Sequence, residues 1–375
     1  MKIHVCLVSA QAAANLLPAL DPAIKPEKVI LIISGKMQTQ ADNLSRVMQE
    51  AGVKTEPYKL TNEHDYAGTE AELLELASRL EQDDVALNIT GGTKLMSLAA
   101  QSVASAASWR MFYVDSDTDQ VSWLYKNAPP ATPLTQHLRL RHYLQGYGYS
   151  LPSVPEKLQL TPAQQTLTRT LINEIGSLEA PLSQLNWLSQ QAEDKRRLEV
   201  EMEERQRDSR SLEALLRNFE NAKSLTVQRN KIIFPSEAQR DFVKGGWLEA
   251  HVFQTLCNLT GELEIRDSAV NLEVVDRTDV KNELDIAFMA RNRLFIIECK
   301  TARMDKPEAP KANDTLFKLA ETSKRIGGLG TRGMLVSYRA LRDAEKQLAR
   351  ALNIHCACGT DIRNLSEHIK TRVLS

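Results

Sequence analysis

Two acids and a lysine near the C-terminus stand at spacings that suit phosphodiester chemistry. Asp285 lies in Asn282-Glu283-Leu284-Asp285-Ile286-Ala287-Phe288; after the turn-like Arg291-Asn292, the apolar run Leu294-Phe295-Ile296-Ile297 leads into Glu298-Cys299-Lys300. Alternate residues of a strand share a face, so Glu298 and Lys300 point one way and Cys299 the other, and a hairpin brings Asp285 beside them. Two carboxylates at the end of an apolar sheet make a hard-oxygen site for Mg²⁺ or Mn²⁺, which can hold a phosphate oxygen and lower the pKa of a bound water. Lys300 can orient that water and offset negative charge in the transition state. Glu249, on a helix opening at Gly245-Gly246-Trp247-Leu248-Glu249, would supply a further ligand directly or through water. A bare Glu-x-Lys is more often an ion pair at a strand end, but charged groups at the end of so apolar a hairpin are costly unless they face a shared polar site.

A second group of residues suits ligand binding. Three small polar loops, Ser9-Ala10-Gln11, Ser34-Gly35-Lys36-Met37-Gln38-Thr39 and Thr90-Gly91-Gly92-Thr93-Lys94, each follow an apolar β-rich run. In a doubly wound sheet ligands sit beyond the carboxyl ends of the strands, where helix N-termini present unpaired N–H groups. The candidates are Ser9, Gln11, Ser34, Gly35, Lys36, Thr39, Thr90, Gly91, Gly92, Thr93 and Lys94. The two glycines let the backbone approach an anion, and Thr93 and Lys94 add a donor and a charge. Neither a G-x-G-x-x-G fingerprint after the first strand nor a Walker loop is present.

The elements that must carry these residues follow from hydrophobic period. Strands are expected at Ile3–Val8, Val29–Ile33, Thr55–Leu60, Val85–Ile89, Met111–Val114 and Val121–Leu124. Helices are expected at Ala12–Leu20, Thr39–Ala51, Thr69–Arg79 and Lys94–Ala107. This alternation spells a Rossmann-like α/β domain with a closing hairpin. Residues 126–160, with Pro129-Pro130 and Gly146-Tyr147-Gly148-Tyr149, read as a connecting or dimer-facing segment. Residues 161–222 read as helices, and Ser224–Phe234 as two short strands around Arg229-Asn230, faintly winged-helix-like. Domain limits of 1–150, 151–240 and 241–375 follow, with the two candidate sites apart, separated by the linker and the helical middle.

Composition bounds the class. At 375 residues, with 42% hydrophobic and 25% charged residues, the chain suits two soluble domains. No apolar run approaches a membrane span, and the N-terminus lacks a signal-peptide cleavage site, so a cytoplasmic location is expected. Five scattered cysteines fit no disulfide framework. Cys356-Ala357-Cys358 beside His355 lacks the second pair a zinc site needs. The net charge of −1 hides a basic C-terminal stretch, 17 Lys and Arg against 9 Asp and Glu over residues 291–375, which modestly favours a polyanionic partner.

On Glu249, Asp285 and Glu298-Cys299-Lys300, residues 245–340 resemble the PD-(D/E)XK restriction-endonuclease-like superfamily, departing from the named pattern in Leu284, where Pro would stand. With Thr90–Lys94 in its setting, the N-terminal domain resembles a CARF domain. The order of the two is similar to the cyclic-oligoadenylate-activated ancillary nucleases of type III CRISPR systems. That resemblance implies a homodimer with a two-fold pocket, cyclic tetra-adenylate as the usual activator, Mg²⁺ or Mn²⁺ as cofactor, and DNA or RNA as substrate in antiviral defence. The alternative is a nucleotide-sensing regulator that binds nucleic acid without cleaving it. Coupling between the two sites is expected to run through the dimer.

Overall fold

The computed structural model of the chain describes residues 2–115, 118–135, 137–152, 158–301 and 311–375. The N-terminal apolar runs become strands β1 (Ile3–Leu7), β2 (Lys28–Ile33), β3 (Lys54–Lys59), β4 (Val85–Asn88), β5 (Arg110–Asp115), β6 (Gln120–Trp123) and β7 (Thr132–Pro133). Between them run helices α1 (Ala13–Leu20), α2 (Gln38–Glu50), α3 (Tyr66–Arg79) and α4 (Lys94–Ala106), and α5 (Leu140–Gly146) follows. The sheet order is β3-β2-β1-β4-β5-β6-β7, parallel from β3 to β5 and closed by antiparallel β6 and β7. Every residue of β1 is buried, and so is all of β2 after Lys28, because helices cover both faces. Helices α1 and α2 pack on one face, α3 and α4 on the other. The sheet reverses direction of growth between β1 and β4.

The middle of the chain carries α6 (Pro162–Asn173), α7 (Glu179–Asp194), β8 (Glu199–Glu201), α8 (Glu204–Arg207), α9 (Arg210–Asn221), β9 (Thr226–Gln228) and β10 (Lys231–Ile233). The expected hairpin turns at Arg229, whose φ is +55°, and β8 adds to it in the order β8-β10-β9. Thr161 and Gln164 form a reciprocal cap that starts α6.

The C-terminal part opens with α10 (Glu237–Asp241) and α11 (Trp247–Asn258), joined by a wide turn at Phe242–Gly246. Then come β11 (Asp267–Val275), β12 (Lys281–Ala290), β13 (Arg293–Lys300), α12 (Lys311–Gly327), β14 (Arg332–Ser337), α13 (Asp343–Ala351), β15 (His355–Cys358) and α14 (Leu365–Leu374). The sheet runs β11-β12-β13-β14-β15, antiparallel for the first three strands and parallel for the last three. One of its faces shares a core with α11 and the middle helices, including Leu185, Trp247, Ile286 and Ile297.

The other face packs directly against the N-terminal part, a contact that the sequence reading of a linker and helical middle did not include. Leu16, Leu44 and Tyr143 of the N-terminal part form one continuous core with Leu272, Leu284, Leu294 and Leu316 of the C-terminal part. Polar contacts stitch the seam. The N–H of Leu138 donates to Asn292 Oδ1 at 2.8 Å, the N–H of Leu140 to Asp267 Oδ2 at 3.0 Å, and the Tyr143 hydroxyl to the Gly327 carbonyl at 2.8 Å. The Gly146–Tyr149 run, read from sequence as a connector, is part of this seam; Tyr147 stacks on Tyr143 with ring centroids 5.1 Å apart. Residues 136 and 153–157 of the expected connecting segment lie outside the described residues, as do 302–310 of the restriction-endonuclease-like segment. Among the described residues no helix is long and apolar enough to cross a membrane.

Candidate active site and ligand loops

The acidic site sits where strand pairing breaks. The β12–β13 ladder ends at Ile286–Ile297, and one residue beyond it Asp285 accepts the backbone N–H of Cys299 at 2.7 Å. On its other side the β11–β12 ladder passes from Val270–Ile286 to Leu272–Leu284 and skips Asn271, whose φ is +50°. Both strands turn over there: Val270 and Ile286 bury toward α11, Leu272 and Leu284 toward the N-terminal domain. Asp285 stands at the turnover, freed from a regular ladder.

Lys300 Nζ lies 2.6 Å from Glu298 Oε1 and 3.8 Å from Asp285 Oδ2. The expected grouping of Asp285, Glu298 and Lys300 is therefore present, with Cys299 buried on the opposite face. Burial pushes Asp285 up to about 6, with Glu298 adding to the rise and Lys300 opposing it. Glu249, on the first turn of α11, is pushed up to about 7, first by burial and then by the charge of Asp285. Burial alone would lower Lys300, yet Asp285 and Glu298 outweigh it and hold the ammonium above its ordinary value. These groups feel one another's charge, but among the described residues no three His, Cys, Asp or Glu side chains are gathered closely enough to hold an ion as they stand. The Lys300 ammonium, within 4 Å of both Glu298 and Asp285, is the cation these carboxylates now share.

Asp285, Glu298 and Lys300 line a pocket of about 310 Å³ whose far wall is α12, through Lys318, Leu319 and Thr322; Glu249 does not border it. Sequence reading gave Lys318 and Thr322 no role; their i, i+4 spacing was the available signal. Cys356 and Cys358 take no part, and His355 instead meets His368, nitrogen to nitrogen at 3.0 Å.

The sensor-side loops lie together because β2, β1 and β4 are neighbours, so all three open on the same edge at the point where the sheet reverses. Gly91 is required by contact: a Cβ there would fall 2.1 Å from the Leu7 carbonyl oxygen. Gly92 has φ +77° and turns the chain into α4. Thr93 caps that helix by accepting the N–H of Met96 at 3.2 Å. Thr90 is half-buried and committed: its hydroxyl donates to Asn88 Oδ1 at 2.6 Å and accepts the N–H of Val114 at 2.8 Å. It shapes the loop. Ser9 Oγ accepts the N–H of Gln11, and Gln11 Oε1 accepts the Tyr147 hydroxyl at 3.1 Å. Ser34 is buried, the Gly35 N–H donates to the Glu63 carboxylate, and Lys36, Thr39, Thr93 and Lys94 are exposed.

Residues 3–143 match the family model of the Card1 CARF domain, and residues 236–375 match that of the Card1-like endonuclease domain. Curated protein sequences gave no match. Among solved structures, protein VC1899 from Vibrio cholerae superposes with a TM-score of 0.90 at 26% identity, over 99% of this chain and 97% of that one. Can2 from Sulfobacillus thermosulfidooxidans, solved with cyclic tetra-adenylate, gives a TM-score of 0.83 at 23% identity over 100% and 99%. A type III CRISPR defence DNA nuclease activated by cyclic oligoadenylate gives 0.58 at 18% identity, over 90% of this chain and 45% of that one.

Proposed function

We propose that this chain, which belongs to the Card1-like CARF endonucleases, hydrolyses phosphodiester bonds of DNA or RNA with a divalent metal, and does so when a cyclic oligoadenylate occupies its sensor. The observation that carries the reading is the meeting of Asp285, Glu298 and Lys300 in one pocket at the end of β12 and β13. A divalent ion fits the donor set: Glu249, Asp285 and Glu298 offer hard oxygens only, and two of them are held partly protonated near neutral pH by burial and mutual repulsion. When bound, Mg²⁺ or Mn²⁺ polarises a phosphate oxygen and eases deprotonation of water. Asp285 and Glu298 would hold the ion, Glu249 would add a third oxygen, and Lys300 would leave its present pairing to face the developing charge at phosphorus. Lys318, across the pocket, is placed to steady a neighbouring phosphate.

On the sensor side, Ser9, Gln11, Ser34, Gly35, Lys36, Thr39 and Gly91 to Lys94 frame the activator site, with Thr90 shaping its floor. The likeness to Can2 favours cyclic tetra-adenylate, and the two-fold symmetry of such a ring suits a homodimer. The biological setting would be type III CRISPR defence. The test is to incubate purified protein with Mn²⁺ and fluorescent single- and double-stranded DNA and RNA, with and without cyclic oligoadenylates of different ring size. Cleavage that requires both Mn²⁺ and one ring size is expected. Nucleic-acid binding with no cleavage under any of these conditions would overturn the reading in favour of a binding regulator.

A further inference from the structure

The turn that feeds the Asp285 strand is held by the sensor domain. Asp276 Oδ1 fixes this turn by accepting the N–H groups of Thr278 and Val280, at 2.8 and 3.0 Å, and the Thr278 hydroxyl at 2.8 Å. From the turn Arg277 reaches across the seam, where Nη2 donates to the Thr39 carbonyl at 3.1 Å and to Asn43 Oδ1. Thr39 and Asn43 lie one turn apart at the start of α2, directly after the ligand loop that follows β2. Asn43 is 3% exposed, so its amide oxygen has little water to replace the guanidinium. From the other side, Arg325 of α12 donates to Asn282 Oδ1 at 2.7 Å. Ser9, Thr39, Asn43, Tyr147, Lys324 and Arg325 line one cleft of about 250 Å³ along this seam.

Residues 277–285 thus carry a sensor contact at one end and a candidate metal ligand at the other. Between the turn and Asp285 the β11–β12 pairs run unbroken from Val275–Lys281 to Leu272–Leu284, and the ladder breaks only at Asn271, level with Asp285, so the end of the hairpin can shift as one piece up to the carboxylate.

We infer that Arg277 is a positioning residue that couples the activator site to Asp285 within a single chain. The inference rests on the reading that the loops after β1 and β2 bind the activator. A ligand drawn into those loops moves the first turn of α2 against the nuclease sheet, and Arg277 hands that movement to the Asp285 strand. The ligand shifts the equilibrium only by its preference for the shifted state. Because coupling is reciprocal, substrate in the nuclease pocket must tighten activator binding by the same factor.

The experiment measures cyclic tetra-adenylate affinity of the full chain by calorimetry, with and without a single-stranded oligonucleotide, in the Glu298→Gln background to prevent cleavage. The same affinities are measured with Arg277→Ala and Arg277→Lys added, and stimulation of cleavage is compared with Glu298 intact. Without Arg277→Ala, activator binding is expected to tighten about tenfold in the presence of substrate, within the usual range for coupled sites. Arg277→Ala should reduce the tightening to less than about twofold and weaken stimulation of cleavage, with activator affinity in the absence of substrate unchanged and the unfolding midpoint only modestly lower, because the buried Asn43 oxygen loses its donor. Arg277→Lys, which keeps a donor and the charge, should recover part of it. Equal tightening with and without Arg277→Ala overturns the coupling role. So does a loss of stimulation that only tracks a lower unfolding midpoint. A chain with Arg277 and Glu298 intact that ignores every cyclic oligoadenylate overturns the functional reading and this one together, whereas a responsive chain with an equally responsive Arg277→Ala variant overturns this one alone.

Discussion

The two sites of this molecule are built from opposite materials. The candidate ligand loops are made of backbone: Gly91 seated on the Leu7 carbonyl, Gly92 in a left-handed turn, Thr90 and Thr93 spent on internal hydrogen bonds. These internal contacts fix their shape. The candidate catalytic site sets charged side chains against one another: Asp285 and Glu249 are pushed up to about 6 and about 7, and the Lys300 ammonium lies between Glu298 and Asp285. A site of the first kind selects by fit. The second kind holds electrostatic tension that a cation would release, so each should respond to different perturbations.

The largest effect is expected at the acids. Asp285→Asn or Glu298→Gln should lower cleavage by about 10²–10³-fold or more, with thermal unfolding and activator binding nearly unchanged, measured on protein shown free of contaminating nuclease. Cutting near the original rate in either variant would remove these residues from the active site. The corresponding change on the sensor side is steric: Gly91→Ala puts a methyl group against the Leu7 carbonyl and should destabilise the fold by about 2 kcal/mol, read from denaturant unfolding. An unchanged midpoint would mean that the loop gives way and that its shape is not preset.

A smaller effect is expected from Thr93→Ala combined with Lys94→Glu, which removes the α4 cap and reverses an exposed charge. Activator affinity should weaken by about tenfold, or ~1.4 kcal/mol, while Mn²⁺ binding stays as it was. Unchanged affinity by calorimetry would move the ligand site elsewhere.

The subtlest test uses pH. Glu249 and Asp285 have folded values above their unfolded ones, so the fold prefers their protonated forms. The stability they contribute is therefore complete below about pH 4 and is lost as pH rises through 6 and 7. Metal-free protein should show this decline in denaturation midpoints between pH 5 and pH 8. Glu249→Gln should flatten it, and Mn²⁺ should reverse it, because the ion competes with protons for the same oxygens. A midpoint that is flat over this range without metal would remove the electrostatic half of the contrast.

How far the sequence foretold all this depends on the range of each interaction. Strands such as Val29–Ile33 and Leu294–Ile297 were legible because burial on both faces leaves an unbroken apolar run, and they lie within the observed Lys28–Ile33 and Arg293–Lys300. Asp285, Glu298 and Lys300 were legible because a two-residue period and a short hairpin fix their relation locally. The far wall of the pocket was not, since Lys318 and Thr322 reach it only through the docking of α12. Nor was the seam: Arg277 and Asn43 are 234 residues apart, and polar contacts at that separation leave no periodic trace. The role of Thr90 was hidden for a related reason, because its hydroxyl is taken up by Val114 on the next strand, which a loop-centred reading does not weigh.

The core that runs unbroken from Leu16 and Leu44 to Leu284 and Leu316 bears on how such a protein can change over generations. A sensor joined to its effector by a tether can be recombined with a different effector at little expense, since no buried surface has to be matched. Here, exchanging either half would leave large side chains such as Tyr143 facing an unmatched partner, and the product would need many compensating substitutions before it folded. Drift in one half is answerable to the other, and the two are constrained to be inherited, and to diverge, as one piece.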